Sequence, residues 1–149
     1  MGDVLRVVSV GRGIEAPAAI VFELIADPAR QPEWDANDNL AQADPGQRVH
    51  AVGDVFIMTL TTGAQRCNRV VEFEEGRRIA WQPSEPGSPP PGHLWRWELE
   101  PLGDGRILVT HTYDWSRLTD ETRMKRARAT SDEMLMASLD RLAEVAQRS

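Results

Sequence analysis

Three side chains capable of binding or proton chemistry recur at every second position near the end of one segment, His111, Tyr113 and Trp115. An imidazole exchanges a proton near neutral pH, and a phenol donates a hydrogen bond to a carbonyl or enolate oxygen. His111 and Tyr113 are therefore the weak catalytic candidates, and both are candidate ligand contacts. The blander alternative for His111, a core histidine hydrogen-bonded to a neighbour, stays open. Asp114 falls on the opposite parity, so a dyad with His111 is not expected. Arg69 shares parity with Val71 and Phe73 and is expected to enter the same space, where a guanidinium would meet an anionic or carbonyl group; a salt bridge at the strand end is the alternative.

Other chemistry is poorly supplied. His50, His93 and His111 lack the paired spacing of metal ligands, and the lone Cys67 can form neither an internal disulfide nor a cysteine-based zinc site. No metal and no cofactor are expected. Gly11-Arg12-Gly13-Ile14-Glu15-Ala16 formally fits a dinucleotide-binding pattern. Pro17 removes an N–H from the helix start that would hold a pyrophosphate, and the downstream chain forms hairpins, so a first strand bent or closely approached at Gly11 and Gly13 is the better reading.

Positioning these residues requires a sheet. Residues 4–15 read as a first strand, and from Pro17 to Ala26 the apolar positions Ala18, Val21, Phe22, Leu24 and Ile25 share a helical face. Asp27-Pro28 starts a second short helix that Pro32 limits to a remnant ending near Trp34. Strands follow at 54–61, 66–74, 77–82, 94–101 and 106–115, and their short glycine-containing connections make the sheet antiparallel. Five prolines in residues 83–92 predict a stiff surface loop. From Thr119 to about Gln147 neither Pro nor Gly occurs, and Leu135, Leu139, Leu142 and Ala146 mark one face of a long terminal helix.

Alternation along the strands then selects a face. Ile107, Val109, His111, Tyr113 and Trp115 point one way, as do Trp95, Trp97 and Leu99, Phe56, Met58 and Leu60, and Ile79 and Trp81. All five tryptophans lie on or beside these elements. Because an indole N–H requires a partner when buried, this aromatic face suits a partly hydrated cavity, with a packed core as the alternative. The expected ligand contacts are Trp34, Met58, Arg69, Trp81, Trp95, Trp97, His111 and Tyr113.

The composition agrees with one soluble domain over residues 1–149: 41% hydrophobic and 27% charged residues can bury a single core. A net charge of −6 makes nucleic acid a poor partner, since phosphate-backbone binding needs clustered Lys and Arg. No apolar run is long enough for a membrane span, and the first six residues lack signal-peptide and myristoylation features, so the cytoplasm is the expected location. An outward patch on the helix or sheet leaves a homodimer possible, though no periodicity marks one. Arg123, Lys125, Arg126 and Arg128 are expected to form a solvated face, and Met134 and Met136 to serve packing.

The ordered set Ile14-Glu15-Ala16-Pro17, Val21-Phe22, Ile25-Ala26-Asp27-Pro28, Pro32-Glu33-Trp34-Asp35, Val52-Gly53-Asp54-Val55-Phe56, Val70-Val71-Glu72-Phe73, Arg77-Arg78-Ile79-Ala80-Trp81 and Val109-Thr110-His111-Thr112 resembles the SRPBCC superfamily (START, polyketide cyclase, Bet v 1-like) across nearly the whole chain. The resemblance implies an α+β helix-grip fold. In it a curved seven-stranded antiparallel sheet surrounds a long C-terminal helix, with two short helices after strand 1. It also implies a cavity mouth formed by 61–65, 83–92 and 115–118, with 83–92 a candidate lid. Its members include hydrophobic-ligand and lipid carriers, polyketide cyclases and chaperone activators. A small aromatic or lipid-like ligand is the leading expectation; a cofactor-independent cyclase or dehydratase and a protein-interaction module are the alternatives.

Overall fold

The computed structural model describes residues 6–149. The beginning of the expected first strand, Val4 and Leu5, and the reading of the first five residues lie outside them. β1 (Val7–Ile14) leads into α1 (Ala18–Ala26) and a 3₁₀ segment (Pro28–Glu33). β2 (Leu40–Gln42), β3 (Val55–Leu60), β4 (Gln65–Glu74), β5 (Arg78–Ser84), β6 (Leu94–Gly103) and β7 (Arg106–Asp114) follow, then α2 (Glu121–Ala129) and α3 (Asp132–Gln147). The strands form one antiparallel sheet in the order β1-β7-β6-β5-β4-β3-β2.

Register aligns the inward side chains into rows across the sheet. Trp81 pairs with Trp95 and Trp95 with Tyr113, while Ile79 pairs with Trp97 and Trp97 with His111. α3 lies against this face through Leu135, Leu139, Leu142, Ala143 and Ala146, all buried, and α1 adds Val21, Phe22, Leu24 and Ile25. A second cluster of buried residues brings Trp115, Leu118, Met124 and Ala127 together with Tyr113 and Leu135.

Short polar contacts fix the helical entry. Asp27 accepts from the Ala29 N–H, starting the 3₁₀ turn, and Gln31 and Trp34 donate to the carbonyls of Ile25 and Leu24 at 2.9 and 2.8 Å. Pro17 stands at the N-cap of α1 rather than inside its first turn.

Three details differ from the sequence reading, and at Gly13 one of its two alternatives, close approach, holds. The terminal helix is two helices: Thr130 leaves helical geometry with ψ at 113°, and Ser131 caps α3 by accepting from the Met134 N–H. A serine cap competes with helix continuation, so a run without Pro or Gly is still interrupted. β1 pairs with β7 without a shift, so Gly13 serves close approach: a Cβ there would stand 2.7 Å from the Arg106 guanidinium. β5 runs on through Pro83 and Ser84, where its pairing with β6 has already ended and a proline interrupts only one side of the ladder. β2 is a three-residue strand with irregular pairing, too short to leave a periodic signal.

Candidate functional site

The sheet and α3 do not close completely on each other; between them lies a cavity of about 500 Å³. Its size falls within the range of small-molecule sites. Trp34, Met58, Trp81 and Trp95 line it, as do Trp97, His111 and Tyr113. Seven of the eight residues expected to face a common space are thus brought together.

Arg69 is the exception. It is exposed and absent from the cavity wall. The pairing of β4 with β5 shifts between Val70 and Glu72, leaving Val71 as an extra residue. Such a bulge reverses parity along its strand. Upstream of it Arg66, Asn68 and Val70 face inward, and counting back from Phe73 gives the wrong side. Arg66 and Asn68 line the cavity instead.

The inner wall is a stack of rings. His111 lies 3.6 Å from Trp97 between centroids, with planes 14° apart, and Trp95 stacks on Tyr113 at 4.2 Å. Trp34 meets Trp97 edge to face at 5.1 Å. His111 Nδ1 contacts the Arg96 carbonyl at 3.3 Å, so Nδ1 carries the hydrogen and Nε2 holds the lone pair. Burial lowers the His111 pKa to about 3, opposed by that hydrogen bond, and raises that of Tyr113 to about 12, opposed by Arg126. Both groups are neutral at pH 7. His93 is lowered to about 4, first by burial and then by the charges of Arg123, Arg66 and Arg126. Two buried ring nitrogens on this wall, His93 Nδ1 and Trp97 Nε1, have no hydrogen-bond partner among the described residues.

The mouth is polar; Thr61 and Thr62 belong to the 61–65 segment that the resemblance placed there, whereas Asp35, Asn37 and the α2–α3 junction escaped the sequence reading. Asp35 holds the 35–40 segment by accepting from the backbone N–H groups of Asn37, Asn39 and Leu40. Asn37 donates to the Met134 carbonyl at 2.9 Å, and Ser138 accepts from the Ala36 N–H, which ties this segment to α3. Thr61 and Thr62 line the same cavity as Arg126, Ala129 and Thr130 at the α2–α3 junction. Loop residues carry no periodicity that would have assigned them to the site.

The other expected mouth segments lie elsewhere. Trp115 and Leu118 are buried in the second cluster, and only the ends of the proline-rich loop, Pro83 and His93, reach the cavity. Glu85 within the loop pairs with Arg123 of α2 at 3.1 Å, and residues 84–92 are absent from the cavity wall. Among the described residues no three His, Cys, Asp or Glu side chains gather as metal ligands would, and no helix is long and apolar enough to cross a membrane.

A curved antiparallel sheet gripping a terminal helical segment, with a ring-lined cavity between, defines a helix-grip protein. Solved structures share the fold: one from Thermobifida fusca superposes with a TM-score of 0.69 at 22% identity, over 97% of this chain and 95% of that one. Another, MLL2253 from Mesorhizobium loti, gives 0.71 at 18% identity over 97% and 98%. The Aha1 dimer from Colwellia psychrerythraea gives 0.66 at 14% identity over 95% and 96%. The chain belongs to the polyketide cyclase / dehydrase and lipid transport family, whose model matches residues 6–147, in agreement with the SRPBCC resemblance. An uncharacterized Mycobacterium tuberculosis protein, Rv0088, is 29% identical in an alignment 126 residues long that covers 76% of this chain and 54% of the relative. The chain thus spans about half the length of the curated relatives it matches.

Proposed function

We infer that the protein binds one small hydrophobic molecule, aromatic or lipid-like, in the cavity between its sheet and α3. The observation that carries this reading is the open volume of about 500 Å³ walled by Trp81, Trp95, Trp97 and Met58. The apolar surface that faces the opening, above all that of the half-buried Trp95, gains by receiving an apolar guest, since burying apolar surface is worth about 25 cal/mol per Å². The family's name, which includes lipid transport, is consistent with it.

Binding without turnover is favoured over proton-transfer catalysis by the environment of His111. A histidine whose pKa has fallen to about 3 is a weak general base at neutral pH, and its Nδ1 hydrogen is already engaged by a backbone carbonyl. Tyr113, raised to about 12, acts as a hydrogen-bond donor rather than an acid.

The test is titration with a neutral apolar probe, N-phenyl-1-naphthylamine, followed by intrinsic tryptophan emission. Saturable one-to-one quenching is expected, with Trp95→Ala weakening binding about ten-fold or more, as removal of a large contacting ring does. Emission that stays linear in probe concentration, with Trp95→Ala behaving as the parent, overturns the reading.

A further inference from the structure

We propose that the ligand is an amphipathic anion whose charged head is held at the cavity mouth by Arg66 and Arg126 while its apolar body rests against the tryptophan wall. This rests on the hydrophobic-ligand reading above and adds the chemistry of the head group.

Both arginines line the same cavity from opposite walls, Arg66 from β4 and Arg126 from α2. The bulge at Val71 gives Arg66 its inward parity, opposite Met58 in the β3–β4 register. Neither forms a salt bridge among the described residues, a state they share with arginines such as Arg69, Arg77 and Arg128; what sets this pair apart is that both line one cavity. Arg66 spends one N–H on the adjacent Gln65 carbonyl and keeps the rest of its fork. The carboxylate on the wall, Asp35, forms no ion pair with either of them; its oxygens accept from three backbone N–H groups of its own segment. Both charges act on His93, the ring beside Tyr113, so they share one neighbourhood. Two guanidinium groups at the rim of an apolar cavity suit a carboxylate or phosphate monoester, which accepts charge-assisted hydrogen bonds while its hydrocarbon part lies deeper.

The experiment displaces N-phenyl-1-naphthylamine with dodecanoate and dodecyl phosphate, each below its critical micelle concentration, and with the neutral dodecanol below its solubility limit. Each competitor is run against the wild-type protein, R66Q/R126Q and R123Q. In the wild type at least one anion is expected to displace the probe at about ten-fold lower concentration than dodecanol, a typical advantage for a charge-assisted contact. In R66Q/R126Q the ratio of anion to dodecanol displacement falls to about one, whatever the affinity of that variant for the probe itself. R123Q retains the advantage, because Arg123 is already engaged by Glu85 and Asp120. Which anion binds better separates a carboxylate head from a phosphate head. If dodecanol matches both anions in the wild type, or the advantage survives in R66Q/R126Q, the anion site is overturned and the cavity reading stands. If the probe itself fails to bind, both fall.

Discussion

His111 illustrates how a single residue's environment selects its role. Enclosed by Trp97 on one face and tied to the Arg96 carbonyl, it is held neutral, with its folded pKa near 3 against 6.5 for an exposed imidazole. The unfolded chain therefore binds a proton that the folded chain refuses between these values, and stability must fall as pH drops through that window. For His111 alone the loss between pH 7 and pH 5 is roughly 2 kcal/mol, and His93 adds to it in the same direction. Denaturant unfolding of His111→Phe at the two pH values checks this: the gap between them should shrink by roughly that amount relative to the parent. An unchanged gap would show that the acid sensitivity lies elsewhere. Trp97, fully buried against the same ring, is expected to cost about 3–5 kcal/mol as Trp97→Ala, read as a lowered urea midpoint at constant slope.

At the level of elements, the two places where local chemistry interrupts a regular pattern decide the shape of the site. Ser131 ends the helical run that hydrophobic spacing alone would carry from Thr119 to Gln147, so that α2 turns away and sets Arg126 and Ala129 at the opening. Ser131→Ala removes the acceptor for the Met134 N–H and should lower stability by about 1 kcal/mol, measured by chemical denaturation, with Ser131→Asp restoring it. The bulge at Val71 is the second interruption. Strand alternation made Trp95, Trp97, His111 and Tyr113 legible because β6 and β7 pair without a shift through those positions. It failed for Arg69 because one inserted residue inverts every side chain on one side of it, and a bulge without glycine or proline leaves no mark in the sequence. Helix order, the antiparallel sheet and the apolar faces were readable from spacing. The mouth was legible only through the family resemblance, which placed 61–65 there; Asn37 escaped because it owes its place to a turn and to contacts made far along the chain.

For the molecule as a whole, a guest that binds only the folded state adds stability in proportion to its occupancy. At a free concentration 100 times its Kd the gain is about 2.7 kcal/mol, which for a chain of this length raises the melting temperature by roughly 5–10 °C. The route by which the guest enters makes this shift diagnostic. Ala129, the last residue of α2, lines the cavity yet is exposed, so its side chain stands at the rim and not in the packed interior. Replacing it by tryptophan adds bulk where no buried neighbour must yield, and surface changes of this kind alter intrinsic stability by only about 0.5 kcal/mol. Ala129→Trp should therefore melt like the parent without ligand and lose most of the shift with ligand present, as followed by differential scanning calorimetry. A variant that keeps the full shift would mean that the guest reaches the protein by another opening or rests on another surface. A variant that melts lower without ligand would mean that α2 contributes to the core through more than Met124 and Ala127, the two residues it now buries.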